Sequence, residues 1–413
     1  MRYRLLAATV VVALLFLLTS SIFQAAAQNT VSGFVTNTPL ANNNPVATMT
    51  PAAPTLTATV IPATPTLAAT ATPVATQEAI YNVPACQYVP GQPTSAECIA
   101  LMEKYPEPNV TPIKQDGYTL DTYNFWKIPT GGVPKHDAPG GNVIGEIPNG
   151  FNFVRVVDAS VEGWLQIEGG EWIQRQFAEF RQSSYFTGVL LPEGWNQPFG
   201  WVLDTTGIYA SLFPGGDSTS ESGLIPLHYE RYNIYAEALD EDGWKWYLVG
   251  PNQWVKQVYM AVIQPTPRPE GVNGRWVAID LFEQTLVAYQ DDMPVFATLV
   301  STGLPNTETN EGLFPIWASL PRDAMSGATG APNAYALQSV PWVMYFDGSI
   351  SLHGTYWHDT FGYRRSRGCV NLSISDARWV FEWQAAAPAG ADGKPLVNVY
   401  VHSTGEYREG DNK

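Results

Sequence analysis

Ser349-Ile350-Ser351-Leu352-His353-Gly354, followed by Ser366-Arg367-Gly368-Cys369-Val370-Asn371, joins a strand pattern to reactive side chains. The segment from Ser349 to His353 predicts a β-strand ending at the histidine. Beyond the cysteine, Ser373-Ile374-Ser375-Asp376 is a capping box, and Trp379, Val380 and Trp383 continue at helical spacing, which predicts a helix. A cysteine near a helix start, with Arg367 two residues before it, is expected to have its thiolate favoured by positive charge and backbone dipoles. An unassisted thiol is only slightly ionised near neutral pH, so a nucleophilic role needs a base, and His353 is the candidate.

Working outward, Arg275–Leu281 and Leu286–Gln290 flank a short polar turn and predict a β-hairpin. Val295–Val300 and Trp342–Tyr345 read as further strands, and Val397–Val401 is expected to close the sheet. Pro265-Thr266-Pro267-Arg268-Pro269 marks a domain boundary upstream.

His353-Gly354 and Ser366–Asn371, with Ser301-Thr302-Gly303 and Thr309-Asn310-Glu311-Gly312-Leu313-Phe314-Pro315-Ile316, resemble the L,D-transpeptidase catalytic domain over residues 275–402. The resemblance implies a β-rich catalytic fold and a cysteine acyltransferase. Such an enzyme acylates its cysteine with a peptidoglycan stem tetrapeptide, releases D-alanine, and passes the acyl group to an amine to form a 3→3 cross-link.

Residue by residue, Cys369 matches the nucleophile, His353 the general base, and the Gly354 carbonyl the group that orients the imidazole. Backbone amides of Gly368 and Cys369 are the expected oxyanion donors. Ser366, Arg367 and Asn371 are expected to order the loop, and His358, Tyr356 and Arg365 to line the substrate site. The sequence departs from the family pattern at Arg367, often histidine, and at Asn310, often proline. Water as acceptor would make the same chemistry an L,D-carboxypeptidase, and a noncatalytic wall-binding protein is the alternative of a different class. His353, His358 and Cys369 do not have the spacing of a metal site, so no metal or cofactor is expected.

Residues 123–180 and 199–264 look like two copies of one unit. Ala138-Pro139-Gly140-Gly141, Gly163-Trp164-Leu165-Gln166-Ile167 and Gly170-Glu171-Trp172-Ile173-Gln174 find echoes in Phe213-Pro214-Gly215-Gly216, Gly243-Trp244-Lys245-Trp246-Tyr247 and Asn252-Gln253-Trp254-Val255-Lys256. Short strand-like runs between Gly, Pro and Asp turns suggest small barrels. Gly163–Gln174 and Gly243–Lys256 resemble bacterial SH3-like domains, which implies wall or peptide binding. Trp164, Trp172, Trp244 and Trp254 would be candidate contacts, although tryptophans on alternate positions of a tiny barrel more often form its core. The whole is expected to be mainly β: a β-rich catalytic domain preceded by two small SH3-like barrels and a disordered N-terminal linker.

Upstream, Arg2 and Arg4 precede an apolar run from Leu5 to Leu18, and Ala25-Ala26-Ala27 follows, the layout of a cleaved secretory signal over residues 1–27. An uncleaved membrane anchor is the alternative. Residues 28–77 are rich in Thr, Pro and Ala and read as a disordered linker. Residues 78–122 form a small segment holding Cys86 and Cys98, and residues 403–413 a tail. In an oxidising compartment that cysteine pair is expected to form a disulfide, contributing roughly 2–3 kcal/mol on a loop-entropy basis. This leaves Cys369 as the odd thiol. With 22 Lys and Arg against 38 Asp and Glu, the chain has no electrostatic footprint for nucleic acid. The expected partners are peptidoglycan stem peptides, in an extracytoplasmic, secreted or wall-associated setting.

Overall fold

A computed structural model describes residues 80–203, 207–331, 333–390 and 396–407 of the 413-residue chain. The expected signal segment, the whole of the expected linker and the end of the tail lie outside the described residues. Among the described residues no helix is long and apolar enough to cross a membrane.

The C-terminal region is built on the strand Arg275–Asp280, whose sequence is apolar at both parities. Val277 and Ile279 face one way, Trp276 and Ala278 the other, and all four are buried. The strand is therefore central in a sheet covered on both faces. It pairs antiparallel with Thr285–Gln290, as the hairpin reading expects, and that strand pairs with Met293–Leu299. On its other side Arg275–Asp280 runs parallel to Asn398–His402. The last strand does not close the sheet: it is inserted between Arg275–Asp280 and the edge strand Gly312–Pro315, because a parallel neighbour comes only from a distant part of the chain.

One face of this sheet, with Val277, Ile279, Leu286 and Phe296, packs on a core completed by Met344, Leu352, Val370 and Val380. These come from a second sheet, containing Ala318–Gly327, Tyr335–Asp347, Ile350–Gly354 and Val370–Leu372, and from the helix Ile374–Ala385. The helix begins where the capping box places it, with Ser373 Oγ accepting the Asp376 N–H at 3.1 Å. The opposite face, with Trp276, Ala278, Val287 and Leu299, buries Phe199, Trp201 and Ile263 of the unit at residues 199–264. Truncating Trp276, which has no exposure, would cost about 3–5 kcal/mol.

The unit at residues 123–180 has its own core of Trp126, Val133, Val154, Leu165, Ile167 and Ile173. Its strand Phe151–Asp158 also pairs in parallel with the strand Tyr335–Asp347 of the second sheet, Phe151 opposite Tyr335 and Phe153 opposite Leu337. The module is thus joined edge to edge with the sheet that carries His353. The unit at residues 199–264 forms two three-stranded sheets. The Cys86–Cys98 disulfide forms and docks on that unit beside Trp246 and Trp254. Of the four tryptophans expected in the barrel cores, only Trp254 is buried. Trp164, Trp172 and Trp244 are half-exposed, because the small cores are filled by Leu165, Ile167, Ile173 and their neighbours.

Asp376 is a charged residue inside the main core. Its Oδ1 accepts the Gly188 N–H at 2.7 Å, and Oδ2 lies 2.6 Å from Thr298 Oγ1. Burial outweighs these hydrogen bonds and pushes its carboxyl up to about 7. A carboxyl raised above its unfolded value contributes stability at low pH that is lost as pH rises through about 7. Asp376→Asn should therefore reduce the fall in unfolding temperature seen for wild type between about pH 5 and about pH 8. Parallel pH profiles for the two proteins would contradict this.

Candidate active site

Ile350–Gly354 and Val370–Leu372 run parallel, with Leu352 opposite Val370, His353 opposite Asn371 and Gly354 opposite Leu372. Side chains alternate along a strand, so Ser351, His353, Cys369 and Asn371 share one face. The bond network around Asn371 fixes the register further: Ser301 and Asn371 exchange both backbone hydrogen bonds at 2.9 Å.

The segments quoted from the sequence converge on the loop before Cys369. The Thr302 carbonyl accepts the N–H groups of Arg365 and Ser366. Gly303 N–H donates to Thr309 Oγ1 at 3.1 Å, and that hydroxyl donates to the Gly368 carbonyl at 2.7 Å. A Cβ on Gly303 would lie 2.1 Å from the Thr307 carbonyl oxygen, so only glycine fits. Gly368 has φ +114°, a conformation that also selects glycine. Ser366 Oγ donates to the Cys369 carbonyl and accepts the Gly368 N–H at 3.1 Å, which makes it the expected loop-ordering residue. Asn310 ties to Asp347 by a side-chain hydrogen bond of 2.7 Å.

The Gly368 amide is therefore not free to serve an oxyanion in this conformation, and the Cys369 amide remains the candidate donor. The electrostatics of the cysteine also differ from expectation. The strand Val370–Leu372 separates Cys369 from the helix start, beyond the reach of the helix dipole's first turn. Arg367 is turned to the Asn333 carbonyl and the Tyr335 ring. Burial consequently pushes the Cys369 thiol up, against hydrogen bonding from Ser351, whose Oγ is 3.8 Å from Sγ.

His353 is buried, and its Nδ1 lies 3.2 Å from the Gly354 carbonyl, as the family resemblance implied. Burial, partly offset by that carbonyl, lowers its pKa to about 4, so the ring is neutral near neutral pH. Cys369, His353, His358, Arg365, Ser366, Arg367 and Asn371 line one cleft of about 360 Å3. Tyr356 does not join them. It is 1% exposed, stacks on Phe125 at 3.7 Å between centroids and donates to the Gln338 carbonyl, because its strand-end position points into the joint with the first module.

Sequence reasoning missed Ser351, Trp357, Tyr335 and Phe151. Ser351 was within reach of it, lying two residues before His353 on the same strand face. Phe151 and Tyr335 meet through a pairing between distant strands that no local pattern encodes.

A cysteine and a buried histidine thus meet in one cleft of a two-sheet fold. Residues 274–404 match the YkuD family model, the L,D-transpeptidase catalytic domain. Solved structures similar to the chain include the Ldtfm–avibactam carbamoyl enzyme, at 22% identity over 35% of this chain and 55% of that one, TM-score 0.28. An L,D-transpeptidase from Stackebrandtia nassauensis is 26% identical over 33% and 60%, TM-score 0.25. An L,D-transpeptidase from Mycobacterium smegmatis is 19% identical over 40% and 76%, TM-score 0.28. The chain spans between half and two thirds of the length of the first two. No curated protein sequence matches.

A raised thiol beside a neutral imidazole predicts how Cys369 titrates. Alkylation of Cys369 by iodoacetamide should accelerate with pH, with a midpoint above that of an ordinary thiol. A rate already at its plateau near neutral pH would instead show a thiolate–imidazolium pair.

Proposed function

We propose that this protein is an exported L,D-transpeptidase that remodels peptidoglycan through an acyl-enzyme on Cys369. The observation that carries the reading is the shared strand face of Cys369 and His353 inside one cleft, with the His353 Nδ1 turned to a carbonyl. That contact puts the ring proton on Nδ1 and leaves Nε2 as a base.

In the first half-reaction Cys369 Sγ attacks the carbonyl carbon of the third stem residue as its proton passes to His353 Nε2. Collapse of the tetrahedral intermediate breaks the C–N bond to D-alanine, the proton leaves with that amine, and a thioester remains. In the second, the side-chain amine of another stem attacks the thioester carbon, losing its proton through His353. The C–S bond breaks, the thiol is restored and a 3→3 amide link results. A neutral thiol and neutral imidazole at rest suit this order of events, since the proton moves as the sulfur attacks.

The signal layout of residues 1–27 and the Thr/Pro/Ala-rich stretch support an extracytoplasmic location, and a disulfide at Cys86–Cys98 suits an oxidising compartment. The first module supports wall binding. An open groove of about 730 Å3 on it exposes Trp164 and Phe180, with Arg175 over the Trp126 ring and the buried Trp126 Nε1–H without an acceptor. Exposed aromatic faces suit stacking on a wall polymer.

The test is to incubate the full chain, wild type and Cys369→Ala, with a disaccharide-tetrapeptide wall fragment and read the products by mass spectrometry. Cys369-dependent loss of alanine with a dimeric product is the expected result. A tripeptide monomer alone would make the protein an L,D-carboxypeptidase, and no product from folded wild type would overturn the enzyme reading. Separately, Trp164→Ala should weaken sedimentation with purified wall sacculi several-fold while leaving turnover of the soluble fragment unchanged; unaltered sedimentation would remove the groove from wall binding.

A further inference from the structure

The cleft holds two histidines whose Nδ1 atoms face opposite kinds of partner. At His353 the partner is the Gly354 carbonyl, an acceptor, so Nδ1 carries the proton. At His358 the partner is the Thr360 backbone N–H, which donates to Nδ1 at 3.3 Å. The N–H contact assigns that nitrogen as the bare one, and the Thr360 hydroxyl, 3.4 Å from it, can donate to it as well. Burial, with Arg365 and His353 adding to it, lowers the His358 pKa to about 3, so the ring is neutral and its single proton sits on Nε2.

His358 Nε2 lies 3.0 Å from the Asn371 carboxamide, with the amide nitrogen placed against it. Two donors cannot bond to each other, and the oxygen and nitrogen of a carboxamide are interchangeable in shape. The other end of the same amide is buried and has no hydrogen-bond partner as an oxygen. Turning the amide over satisfies His358 through an N–H to oxygen bond and makes the unpartnered end an –NH2. Asn371 is 1% exposed, lies opposite His353 in register and lines the cleft with Cys369.

We propose that His358 is a positioning residue: its Nε2–H holds the Asn371 carboxamide by the oxygen, leaving the –NH2 as a donor for an oxygen of the bound stem peptide. The inference rests on the proposed transpeptidase reading for its substrate, while the lock itself belongs to the chain. The backbone that sets the His358 tautomer is itself braced from the second module. Tyr229 Oη accepts the Phe361 N–H at 3.0 Å and donates to the Asp359 carbonyl at 3.3 Å, and the Phe361 ring sits 5.2 Å from the His358 ring. Asp359 and Phe361 flank Thr360, the residue whose N–H meets Nδ1.

The first test needs no activity. In the full chain labelled with 15N-histidine, long-range 1H–15N spectra near neutral pH read which ring nitrogen carries hydrogen, and the His358→Leu spectrum assigns the signal. The expected result is a protonated Nε2 and a bare Nδ1 for His358, and the reverse at Nδ1 for His353. The opposite tautomer or an imidazolium at His358 overturns the lock. The second is a double-mutant cycle on kcat/KM for the tetrapeptide fragment. His358→Leu and Asn371→Ala should each lower it about ten-fold, and the double variant should be no worse than Asn371→Ala alone. His358→Gln, whose amide can donate to the same oxygen, should recover part of the loss. Independent, multiplying losses would overturn a role through Asn371. A wild-type chain inactive on every fragment would sink the transpeptidase reading, and the ring spectrum would still decide the lock.

Discussion

The parallel pairing of Ile350–Gly354 with Val370–Leu372 is the constraint on which the site depends. It sets Cys369 and His353, far apart in sequence, on one face at a fixed stagger. Parallel strands need a crossover, and here the crossover of residues 355–369 carries His358, Arg365 and Ser366 around the cleft mouth. Reciprocal backbone bonds between Ser301 and Asn371 stop that short strand from slipping, and a one-residue slip would turn Cys369 away from His353.

The two upstream modules are structural parts of this arrangement. One covers a face of the Arg275–Asp280 sheet with Phe199, Trp201 and Ile263, which explains why that sheet is apolar at both parities. It also braces the crossover through Tyr229. The other extends the sheet that carries His353 in parallel and brings Phe151 to the cleft wall. The module and the strand that carries His353 therefore share one continuous sheet, and the Phe125–Tyr356 stack ties the module to the chain just after His353.

Much of the C-terminal fold was legible because it rests on short-range signals. The hairpin from Arg275, the strand into His353 and the capped helix at Ser373 each follow from alternation or capping chemistry within a few residues. The motif groups Cys369, His353 and Ser366, and the structure brings the three to one cleft. What stayed hidden depends on contacts between distant segments: the insertion of Asn398–His402 into the sheet interior, the burial of Tyr356 at a module joint, and the half-exposure of Trp164, Trp172 and Trp244. The thiol departs from expectation for the same reason, since proximity in sequence puts Arg367 beside Cys369 while tertiary contacts turn it to Tyr335 and Asn333 and leave the half-buried thiol desolvated. The Gly368 amide, an expected oxyanion donor, is instead occupied by the Ser366 hydroxyl within the loop.

The central claim is that Cys369 takes the acyl group of a stem peptide. Intact-mass and peptide-mapping spectrometry of the full chain, quenched in acid during turnover of a tetrapeptide fragment, tests it most directly. The account predicts a thioester adduct of the fragment less its terminal alanine, mapped to Cys369 and absent from Cys369→Ala. Alanine release with no adduct at Cys369, or an adduct elsewhere on the chain, would contradict it.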